Sequence, residues 1–408
     1  MMNRRCRITG DVVTNVLDFG RQPLGNGFLL PNNYKDEYFY QMSIGFCEQS
    51  FMMQLNEQPS PEKMFHEDYA FYSSTSRYMG DHFEEFANYL LQSEYLSNKD
   101  PFVVELGCND GIFLKHIASK NINHLGIEPS LNVATSANLN GVETISEFFG
   151  IDLARKILKK YGQVDAFIAA NVMCHISDIN GVVKGISELI KPEGVIIFED
   201  PYLGDVIRKT SYDQIYDEHV FIFSGLSIQA LFSNYGFELI DLLPQSTHGG
   251  SMRYVLAKKG VYLVKDSVSN ILREEHNIGL DNIDTIRKFS EKVQKSKKDL
   301  VELLSFLKKQ GKRVAGYGAT SKSTTILNYC GIGPELIEYI SDSTPIKQGK
   351  FSPGMHIPIY SHDKFVDNPP DYAVLFAWNH AKEIMEKETN FIANGGKWIT
   401  HVPEVKIL

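Results

Sequence analysis

Residues 211–224, SYDQIYDEHVFIFS, mix ionisable and aromatic side chains within one short segment. Tyr216, Glu218 and His219 stand almost side by side, and two phenylalanines follow shortly after. Surface loops rarely hold so many aromatic rings, and core segments rarely hold so many ionisable groups. Histidine is the usual general base near neutral pH, so the segment predicts an acid–base site. A lone histidine is more often structural, and the interpretation therefore depends on the elements that position it.

A glycine turn follows the first strongly apolar run of the middle region. In FVVELGCNDGIFLKHI a predicted strand ends at Glu105, and Gly107, Asn109, Asp110 and Gly111 lie in the turn before a predicted helix. Glycine lets backbone amides approach a ligand closely. The arrangement predicts a cofactor-binding loop, against the simpler alternative of a turn that binds nothing.

The acidic residues around this turn distinguish between two cofactors. The next predicted strand ends at Glu128, 21 residues after Gly107, where a carboxylate accepts the hydroxyl groups of a ribose. A dinucleotide site favours G-x-G-x-x-G with a pyrophosphate at the helix start, whereas this turn has G-x-x-x-G with Asp110 inside it. That carboxylate would repel a pyrophosphate and attract a cationic amine. S-adenosylmethionine (SAM) carries an amine and a sulfonium and no phosphate, so it is favoured over a nicotinamide dinucleotide.

Further candidate cofactor contacts follow later strands. In ISEFFG, Glu147 precedes Phe148, so an acid could bond the adenine amine while a ring stacks on the base. In AANVMCHI, Asn171 and His175 come just past the fourth predicted strand. Open α/β sheets bind their ligands at this carboxyl edge.

The elements that must position these residues form an alternating pattern. FVVEL, HLGIE, AFIAAN and VIIFED are short apolar runs with helical segments between them, which is typical of a doubly wound α/β sheet. GFELIDLLP and SMRYVLAKK predict two antiparallel strands. Residues 268–310 have apolar side chains at helical spacing, which predicts a long helix or a helix pair. RVAGYGATSKSTTILNYC then begins a second, smaller α/β unit.

Bulk properties exclude several classes of protein. A net charge of −9 over 408 residues argues against a nucleic-acid groove. Five scattered cysteines argue against a disulfide framework and favour a reducing cytoplasm. The first residues lack an apolar signal segment, and no apolar run approaches the ~18 residues of a spanning helix, so no membrane association is expected.

Several long and unusual segments resemble one known family. They are CRITG, VLDFGRQPLGN, PSPEKMFHEDYAFYSSTS, ELGCNDG, ANVMCHI, YDQIYDEHVFIFS, HGGSMR, GYGATSKSTT and SDSTPIKQGKFSPGMHIPI. The family is that of the SAM-dependent C-methyltransferases that add a branch methyl to carbon 3 of nucleotide-linked 4-keto-6-deoxysugars. The resemblance implies a small N-terminal domain over residues 1–75 and a central Rossmann-like class I methyltransferase sheet over 76–260. It also implies a C-terminal sugar-nucleotide-binding α/β domain over 261–408.

The chemistry of this family explains why ionisable groups would be needed. A proton next to the 4-keto group must be removed before the carbon can attack a methyl group, and charge then develops on the 4-oxygen. His219 is the better base candidate, with Tyr216 or Glu218 orienting it or bonding the substrate, and His175 is the second candidate. The resemblance matches both histidines and Tyr216 to active-site positions.

Other segments are expected to hold the substrate. The resemblance places Tyr69 and Tyr72 on a flap over the site, where their hydroxyls would donate to the sugar. In GYGATSK, Lys322 is expected to supply charge for a phosphate at a strand–helix turn. Asp342, at the end of the following strand, would suit a ribose or base contact.

The segment HGGSMR is a further candidate for phosphate contact. It contains His248, the adjacent pair Gly249 and Gly250, and Arg253. Adjacent glycines expose backbone amides, and an arginine forks onto a phosphate. The alternative is an ordinary β-turn with a surface arginine.

The N-terminal domain departs from the family pattern. Many relatives carry C-x-x-C twice there, a four-thiolate zinc pattern. Here Cys6 and Cys47 remain, but Thr9 and Ser50 stand where the other thiols would be. Neutral hydroxyls are weak zinc ligands, so no zinc is expected and SAM is the only cofactor predicted.

Three alternative functions remain open from the sequence. They are O-methylation of a sugar hydroxyl, sugar-nucleotide binding without turnover, and nicotinamide-dependent oxidation or reduction based on the two glycine turns. Intact Asp110, Glu128, His175 and His219 count against loss of turnover. The expected partner is a keto-deoxysugar linked to TDP or GDP, and the expected assembly is a monomer or weak homo-oligomer.

Overall fold

The structure is a computed structural model that describes residues 4–64, 73–75 and 77–408 of the 408-residue chain. Within these ranges the strands form three sheets. The predicted α/β class, with a small N-terminal domain, a central Rossmann-like sheet and a smaller C-terminal α/β domain, is confirmed. No helix in the described ranges is both long enough and apolar enough to cross a membrane.

The N-terminal sheet is an antiparallel meander. Its elements are β1 (Thr14–Pro23), β2 (Phe39–Cys47), β3 (Met52–Leu55) and the single helical turn α1 (Pro61–Met64). β2 pairs antiparallel with both of its neighbours. Nearly every side chain of β2 and β3 is buried, because the sheet shares one apolar core with the C-terminal half of the chain.

The middle part of the chain, from residue 77 to residue 258, contains the central sheet, the helices around it and β9, which pairs with the N-terminal sheet. Its elements are α2 (Arg77–Gln92), β4 (Phe102–Leu106), α3 (Leu114–Ala118), β5 (Asn123–Ile127), α4 (Leu131–Leu139), β6 (Thr144–Ile145), α5 (Ile151–Tyr161), β7 (Val164–Ala170), α6 (Ile179–Leu189), β8 (Ile190–Pro201), α7 (Leu203–Lys209), β9 (Phe221–Ile222), α8 (Gly225–Ser233), β10 (Phe237–Gln245) and β11 (Ser251–Lys258). The strand order is β10-β11-β8-β7-β4-β5-β6. β4 to β8 pair in parallel, and β11 runs antiparallel between β8 and β10. The carboxyl ends of β4, β5 and β7 therefore meet at one edge, where ligands bind in open α/β sheets.

A helix pair leads to the C-terminal sheet. The elements are α9 (Asp266–Asn277), α10 (Ile283–Lys309), β12 (Val314–Tyr317), α11 (Ser321–Cys330), β13 (Ile340–Ser341), β14 (Ile359–Tyr360), α12 (His362–Asp367), β15 (Tyr372–Leu375), α13 (Ala381–Lys387), α14 (Thr389–Ala393), β16 (Lys397–Thr400) and β17 (Lys406–Ile407). The sheet order is β14-β13-β12-β15-β16-β17, and only the β16–β17 pair is antiparallel. The predicted helix pair and second α/β unit are both present.

The N-terminal sheet extends to the segment that carries His219. β9 pairs antiparallel with β3, so Met53 lies opposite Ile222. The Leu55 amide also donates to the Val220 carbonyl over 2.7 Å. A strand that follows His219 by two residues is therefore part of the first sheet, and the packing of that sheet supports the candidate base.

A buried carboxylate caps the N-terminus of α8. Glu275, on α9, is fully buried. It accepts hydrogen bonds from the amides of Gly225 at 2.7 Å and Leu226 at 2.9 Å. The first amides of a helix lack partners within the helix, so this side chain satisfies two of them.

Replacing Glu275 by Gln should lower the midpoint of urea unfolding, at a cost of about 1–3 kcal/mol, because one amide then faces a donor instead of an acceptor. The neighbouring variant Glu274→Gln is the control. Glu274 pairs with Arg208 at 2.6 Å and has an exposed side chain, so its loss should cost under about 1 kcal/mol. Equal midpoints for both variants would contradict the assigned role of Glu275.

Candidate active site

The first glycine turn has a backbone that requires glycine. Gly107 and Gly111 adopt φ of +67° and +82°, and Asn109 adopts +48°. A Cβ added at Gly107 would overlap the Val172 side chain. The chain therefore passes directly beneath the segment after β7, and the loop lies at the carboxyl edge of the sheet as predicted.

Two acidic side chains at this loop have oxygens available for a cation. Oε2 of Glu105 and Oδ1 of Asp110 are buried and have no hydrogen-bond partner among the described residues. Burial raises the pKa of Glu105 well above its ordinary value, and the charges of Glu128 and Asp110 act in the same direction. A cationic amine placed here would satisfy both oxygens and relieve the repulsion. The pocket therefore fits the amine of SAM and disfavours a pyrophosphate.

Glu128 connects the end of β5 to the loop. Its carboxylate accepts from the Asn109 amide at 3.2 Å and from the Ser130 amide at 2.9 Å. Burial raises the pKa of Glu128, and the two amides oppose that shift. A carboxylate has about four lone-pair sites, so two remain for the ribose contact that the sequence predicts.

Serines from the segment before α2 cover the loop. The Ser73 amide donates to Asn109 Oδ1 over 2.9 Å, and the Ser74 amide donates to Asp110 Oδ2 over 3.1 Å. The Ser74 hydroxyl also donates to Asp110. The SSTS sequence contains nothing specific enough to have predicted these contacts. The predicted flap residues Tyr69 and Tyr72 lie outside the described residues.

The remaining predicted cofactor residues lie along the same edge. Asn171 adopts φ of +56° directly after β7, and its buried Oδ1 lacks a partner among the residues that the structure describes. Phe148 is half exposed, as an adenine-stacking ring would require. Glu147 pairs with Lys156 at 2.9 Å on the surface. Their predicted contacts with adenine stay predictions.

His219 is held in one orientation by two hydrogen bonds. Its Nδ1 lies 2.6 Å from the Gln214 carbonyl oxygen, and its Nε2 lies 2.7 Å from the Tyr216 hydroxyl. A carbonyl only accepts, so Nδ1 carries the proton and Nε2 accepts from Tyr216. Burial lowers the pKa of His219 well below its ordinary value, and the positive charges of His175 and Lys322 add to this shift. The ring is therefore neutral near neutral pH, and its Nε2 carries a lone pair instead of a proton.

His175 lies on the short helical turn after β7, and its ring packs beside the ring of His219. The two ring centroids are 5.3 Å apart with planes 24° from parallel. Burial lowers the pKa of His175 to about 4. The preceding residue, Cys174, joins this pair, because its Sγ and one nitrogen of each ring lie within 4.8 Å of one another. The structure thus brings both predicted base candidates together.

The loop after β1 contacts the segment that carries His219. The Gly25 amide donates to Asp217 Oδ1 over 3.1 Å, and Asn26 Nδ2 donates to Glu218 Oε1 over 2.9 Å. Burial raises the pKa of Asp217 to about 6. Glu218 therefore contacts the N-terminal domain through Asn26. Sequence reasoning did not identify the loop residues as part of the site.

The HGGSMR segment is organised differently from the prediction. The His248 carbonyl accepts from the side-chain amide of Gln214, so it touches the turn that carries His219. A Cβ at Gly249 would overlap Trp378, and one at Gly250 would overlap Asp205. The Gly250 amide already donates to a backbone carbonyl over 2.9 Å. The two glycines permit close packing, and the predicted phosphate contact of this segment stays a prediction.

The phosphate contact of Arg253 stays a prediction, and the structure gives this side chain a partner within the protein. Arg253 lies within β11, is buried, and pairs with Glu199 through Nε at 2.5 Å. Its guanidinium also lies 3.9 Å from the centre of the Phe86 ring. His82 Nε2 shares the same carboxylate at 2.6 Å. A buried guanidinium needs a paired anion, and here the protein supplies it internally.

The second glycine turn carries Lys322 and Asp342. Burial lowers the pKa of Lys322, which the charges of Asp213 and Glu218 oppose. This ammonium forms no ion pair with the described residues, so it can neutralise a ligand anion. Asp342 accepts from the amides of Ala319 at 2.7 Å and Thr344 at 2.8 Å. Its carboxylate shapes the turn, and its predicted ribose or base contact stays a prediction.

A contact between distant parts of the chain anchors the turn before His219. Asp213 is fully buried, and Trp378 Nε1 donates to its Oδ2 over 2.6 Å. His401 Nε2 lies 3.3 Å from the same oxygen. Asp213 and Trp378 are 165 positions apart, so no local pattern in the sequence could have paired them.

The four positions of the zinc pattern do converge in the N-terminal domain. Cys6 Sγ lies 3.2 Å from Ser50 Oγ, and Cys47 Sγ lies 3.8 Å from Thr9 Oγ1. Hydrogen bonding from Cys47 lowers the pKa of the Cys6 thiol to about 5. Two thiols and two hydroxyls do not provide the four soft donors of a structural zinc site, so the group does not fit.

Three protein families match successive parts of the chain. A "Putative zinc binding domain" matches residues 6–65, a "Methyltransferase domain" matches 76–242, and a "C-methyltransferase C-terminal domain" matches 246–403. The last match begins before β11, so it includes one strand of the central sheet as well as β12 to β16 of the C-terminal sheet.

Individual relatives differ in how much of the chain they cover. The C-methyltransferase NovU of Streptomyces niveus is 32% identical over 406 residues, which is 99% of this chain and 96% of that protein. A ubiquinone biosynthesis O-methyltransferase of Colwellia psychrerythraea is 29% identical over 114 residues, covering 26% of this chain and 46% of that protein. The solved magnesium protoporphyrin IX methyltransferase of Synechocystis PCC 6803, with bound SAM, is 14% identical and has a TM-score of 0.34, covering 44% of this chain and 79% of that one. Since the likeness to the first relative spans all three sheets, the chain is an enzyme and belongs to the family of C-methyltransferases.

Proposed function

We propose that the enzyme transfers a methyl group from SAM to carbon 3 of a nucleotide-linked 4-keto-6-deoxysugar. The observation that carries the proposal is the buried His219 ring, whose Nδ1 faces the Gln214 carbonyl and whose basic Nε2 meets Tyr216. A carbon next to a ketone must lose a proton before it can be methylated, and such a nitrogen can accept it. The sugar and the position of methylation rest on the resemblance of the sequence motifs.

Membership in the C-methyltransferase family bears on the alternatives. Because the chain is an enzyme, the prediction of a sugar-nucleotide-binding protein without turnover is wrong. Methylation of carbon is favoured over methylation of a sugar hydroxyl, since the relative that matches nearly the whole chain is a C-methyltransferase. A cytoplasmic location and a monomer or weak homo-oligomer stay predictions.

The residues that would hold the donor lie on the first glycine turn and the strands beside it. Asp110 and Glu105 have buried oxygens suited to its amine, and Glu128 has lone pairs left for its ribose. Glu147 and Phe148 would meet the adenine. When bound, SAM supplies an electrophilic methyl group on a sulfonium.

The base and its neighbours then act on the sugar. His219 Nε2 takes the proton from carbon 3, and the electrons of that C–H bond pass to the 4-oxygen. The imidazolium that forms keeps its Nδ1–H bond to the Gln214 carbonyl, which stabilises the positive ring. Tyr216, displaced from Nε2, can donate to the 4-oxygen as charge develops there. Carbon 3 would then bond to the methyl carbon while the sulfur–methyl bond breaks, and the electron pair of that bond would stay on sulfur as a neutral thioether.

The nucleotide half of the substrate would lie against the C-terminal domain. Lys322 is a largely buried ammonium without an ion pair among the described side chains, and a diphosphate would neutralise it. Burial lowers the pKa of His248 to about 3, with Lys322 adding to the shift, so that ring lies in the same positive pocket as a neutral group. Asp342, at the tip of β13, would contact the ribose or base.

For the N-terminal domain we propose folding without zinc. Its strands bury a continuous apolar face against the rest of the chain, and Cys6, Thr9, Cys47 and Ser50 already satisfy one another by hydrogen bonds. The domain therefore does not need a metal to hold its turns together.

Replacing His219 by Ala should lower turnover by roughly 10²–10⁴-fold, because the proton acceptor is lost. Affinity for SAM, measured by calorimetry, should stay near that of the wild type. Deuterium entry at carbon 3 in heavy water should fall in parallel with turnover. The matched variant Tyr216→Phe keeps a ring and should lower turnover less. An unchanged rate in the His219 variant would exclude this ring as the base.

Replacing Glu128 by Ala should weaken SAM binding by about tenfold or more, since a charge-assisted hydrogen bond contributes about 1.5–3 kcal/mol. Calorimetry on the whole enzyme measures this directly. Glu188→Gln is the control, because Glu188 pairs with Arg155 on the surface at 2.8 Å, and its SAM affinity should not change. Unaltered binding in the Glu128 variant would remove this carboxylate from the cofactor site.

Purification in chelator should leave the wild-type protein folded and with the same urea midpoint, because no zinc holds the N-terminal turns. The double variant T9C/S50C restores four thiols and should then retain one zinc per chain. Stoichiometric zinc that survives chelation in the wild type, and that disappears with C6S, would overturn the proposal.

A further inference from the structure

We propose that Cys174, His175 and His219 form a binding site for a borderline-soft divalent cation of the Zn²⁺ class, and that an ion bound there switches the enzyme off. This is the only group of three histidine, cysteine or acidic side chains with converging donor atoms within the ranges 4–64, 73–75 and 77–408. The site lies in the active site, far along the chain from the N-terminal zinc pattern.

The donor set suits such an ion. A thiolate and two imidazole nitrogens are ligands that Zn²⁺ and Co²⁺ prefer, and three protein ligands leave a fourth position for water. The three donor atoms lie within 4.8 Å of one another, whereas ligand atoms around tetrahedral zinc are roughly 3.3–3.6 Å apart. Side-chain rotations that move each donor atom by about 1 Å would bring the three atoms to the spacing of a zinc site. Ion binding releases the Cys174 thiol proton to solvent.

The surroundings of His219 already resemble those of a metal ligand. Histidines that bind metals usually donate their other ring N–H to a carbonyl or carboxylate, which fixes the orientation of the ring. Here Nδ1 donates to the Gln214 carbonyl over 2.6 Å. Nε2 would exchange the Tyr216 hydroxyl for the cation, without any change in the bond that orients the ring.

A buried carboxyl group lies behind the thiol. Asp200, at the end of β8, is fully buried and lies against the Cys174 side chain. Its oxygens would lie close to a cation bound at the cluster and would add to the attraction of that ion.

Occupation of the site is incompatible with the proposed reaction, on which this part of the inference rests. A metal on Nε2 removes the lone pair that would accept the proton of carbon 3. The ion also stands where His175 and His219 face the substrate space. Zinc should therefore inhibit turnover reversibly, and a chelator should restore it.

Cobalt tests the site without any substrate. Co²⁺ added to chelator-treated whole protein should give visible d–d bands and a near-ultraviolet thiolate-to-cobalt band at one ion per chain. C174S should lose the thiolate band and bind cobalt at least about tenfold more weakly. C174A is the second variant, in case the serine disturbs the buried position. The double variant C6S/C47S and the buried-cysteine variant C330S should both keep the full spectrum.

The spectra decide the metal site separately from the function. Absence of a thiolate band in the wild type, or its loss in C6S/C47S instead of C174S, would sink the proposal. Inhibition is then compared as the zinc concentration for half activity, each variant normalised to its own metal-free rate. We expect an increase of at least about tenfold for C174S and none for C330S. A normal cobalt spectrum without inhibition would overturn the switch and count against His219 as the base, while leaving the metal site in place.

Discussion

The hydrogen bond from His219 Nδ1 to the Gln214 carbonyl is the contact on which the chemistry of the site depends. A buried imidazole has two neutral tautomers, and a carbonyl at one nitrogen permits only the one that is protonated there. Basicity is thereby assigned to Nε2, the nitrogen that meets Tyr216. The Gln214 side chain also donates to the His248 carbonyl, so one residue orients the proposed base and contacts the neighbouring turn.

This turn is supported by all three sheets, which is why the domains cannot be treated as independent. The N-terminal sheet reaches it through β9 and through the Gly25 amide on Asp217. The C-terminal sheet reaches it through Trp378 on Asp213. Because these supports are buried hydrogen bonds, losing one leaves an unsatisfied polar group close to His219. Substitutions far from the substrate can therefore change turnover by shifting His219 alone.

Local patterns were sufficient for the parts of the site that lie next to one another along strands. The glycine turn, the acid at the tip of β5 and His175 past β7 follow from period and composition, since parallel strands end at one edge. Arg253 and Gly250 could not be assigned in this way. In the sequence, an arginine that binds a ligand looks the same as one that pairs with a buried carboxylate such as Glu199. A glycine pair that exposes amides likewise looks the same as one that lets another segment pack closely. Only the partner distinguishes these uses, and the partner is remote in sequence.

The two glycine turns share one arrangement of backbone and acid, and they differ in the charged groups that lie beyond the turn. Glu128 accepts from the loop amide of Asn109 and from the amide two residues after itself, and Asp342 does the same with Ala319 and Thr344. In each case the acid first satisfies the backbone of a turn that would otherwise bury unpaired amides. Ligand preference then depends on the charge beyond the turn. Carboxylate oxygens without a partner among the described residues surround the first turn. The ammonium of Lys322, which forms no ion pair within the same ranges, follows the second. The same backbone device therefore suits a cationic donor in the central sheet and an anionic nucleotide in the C-terminal one.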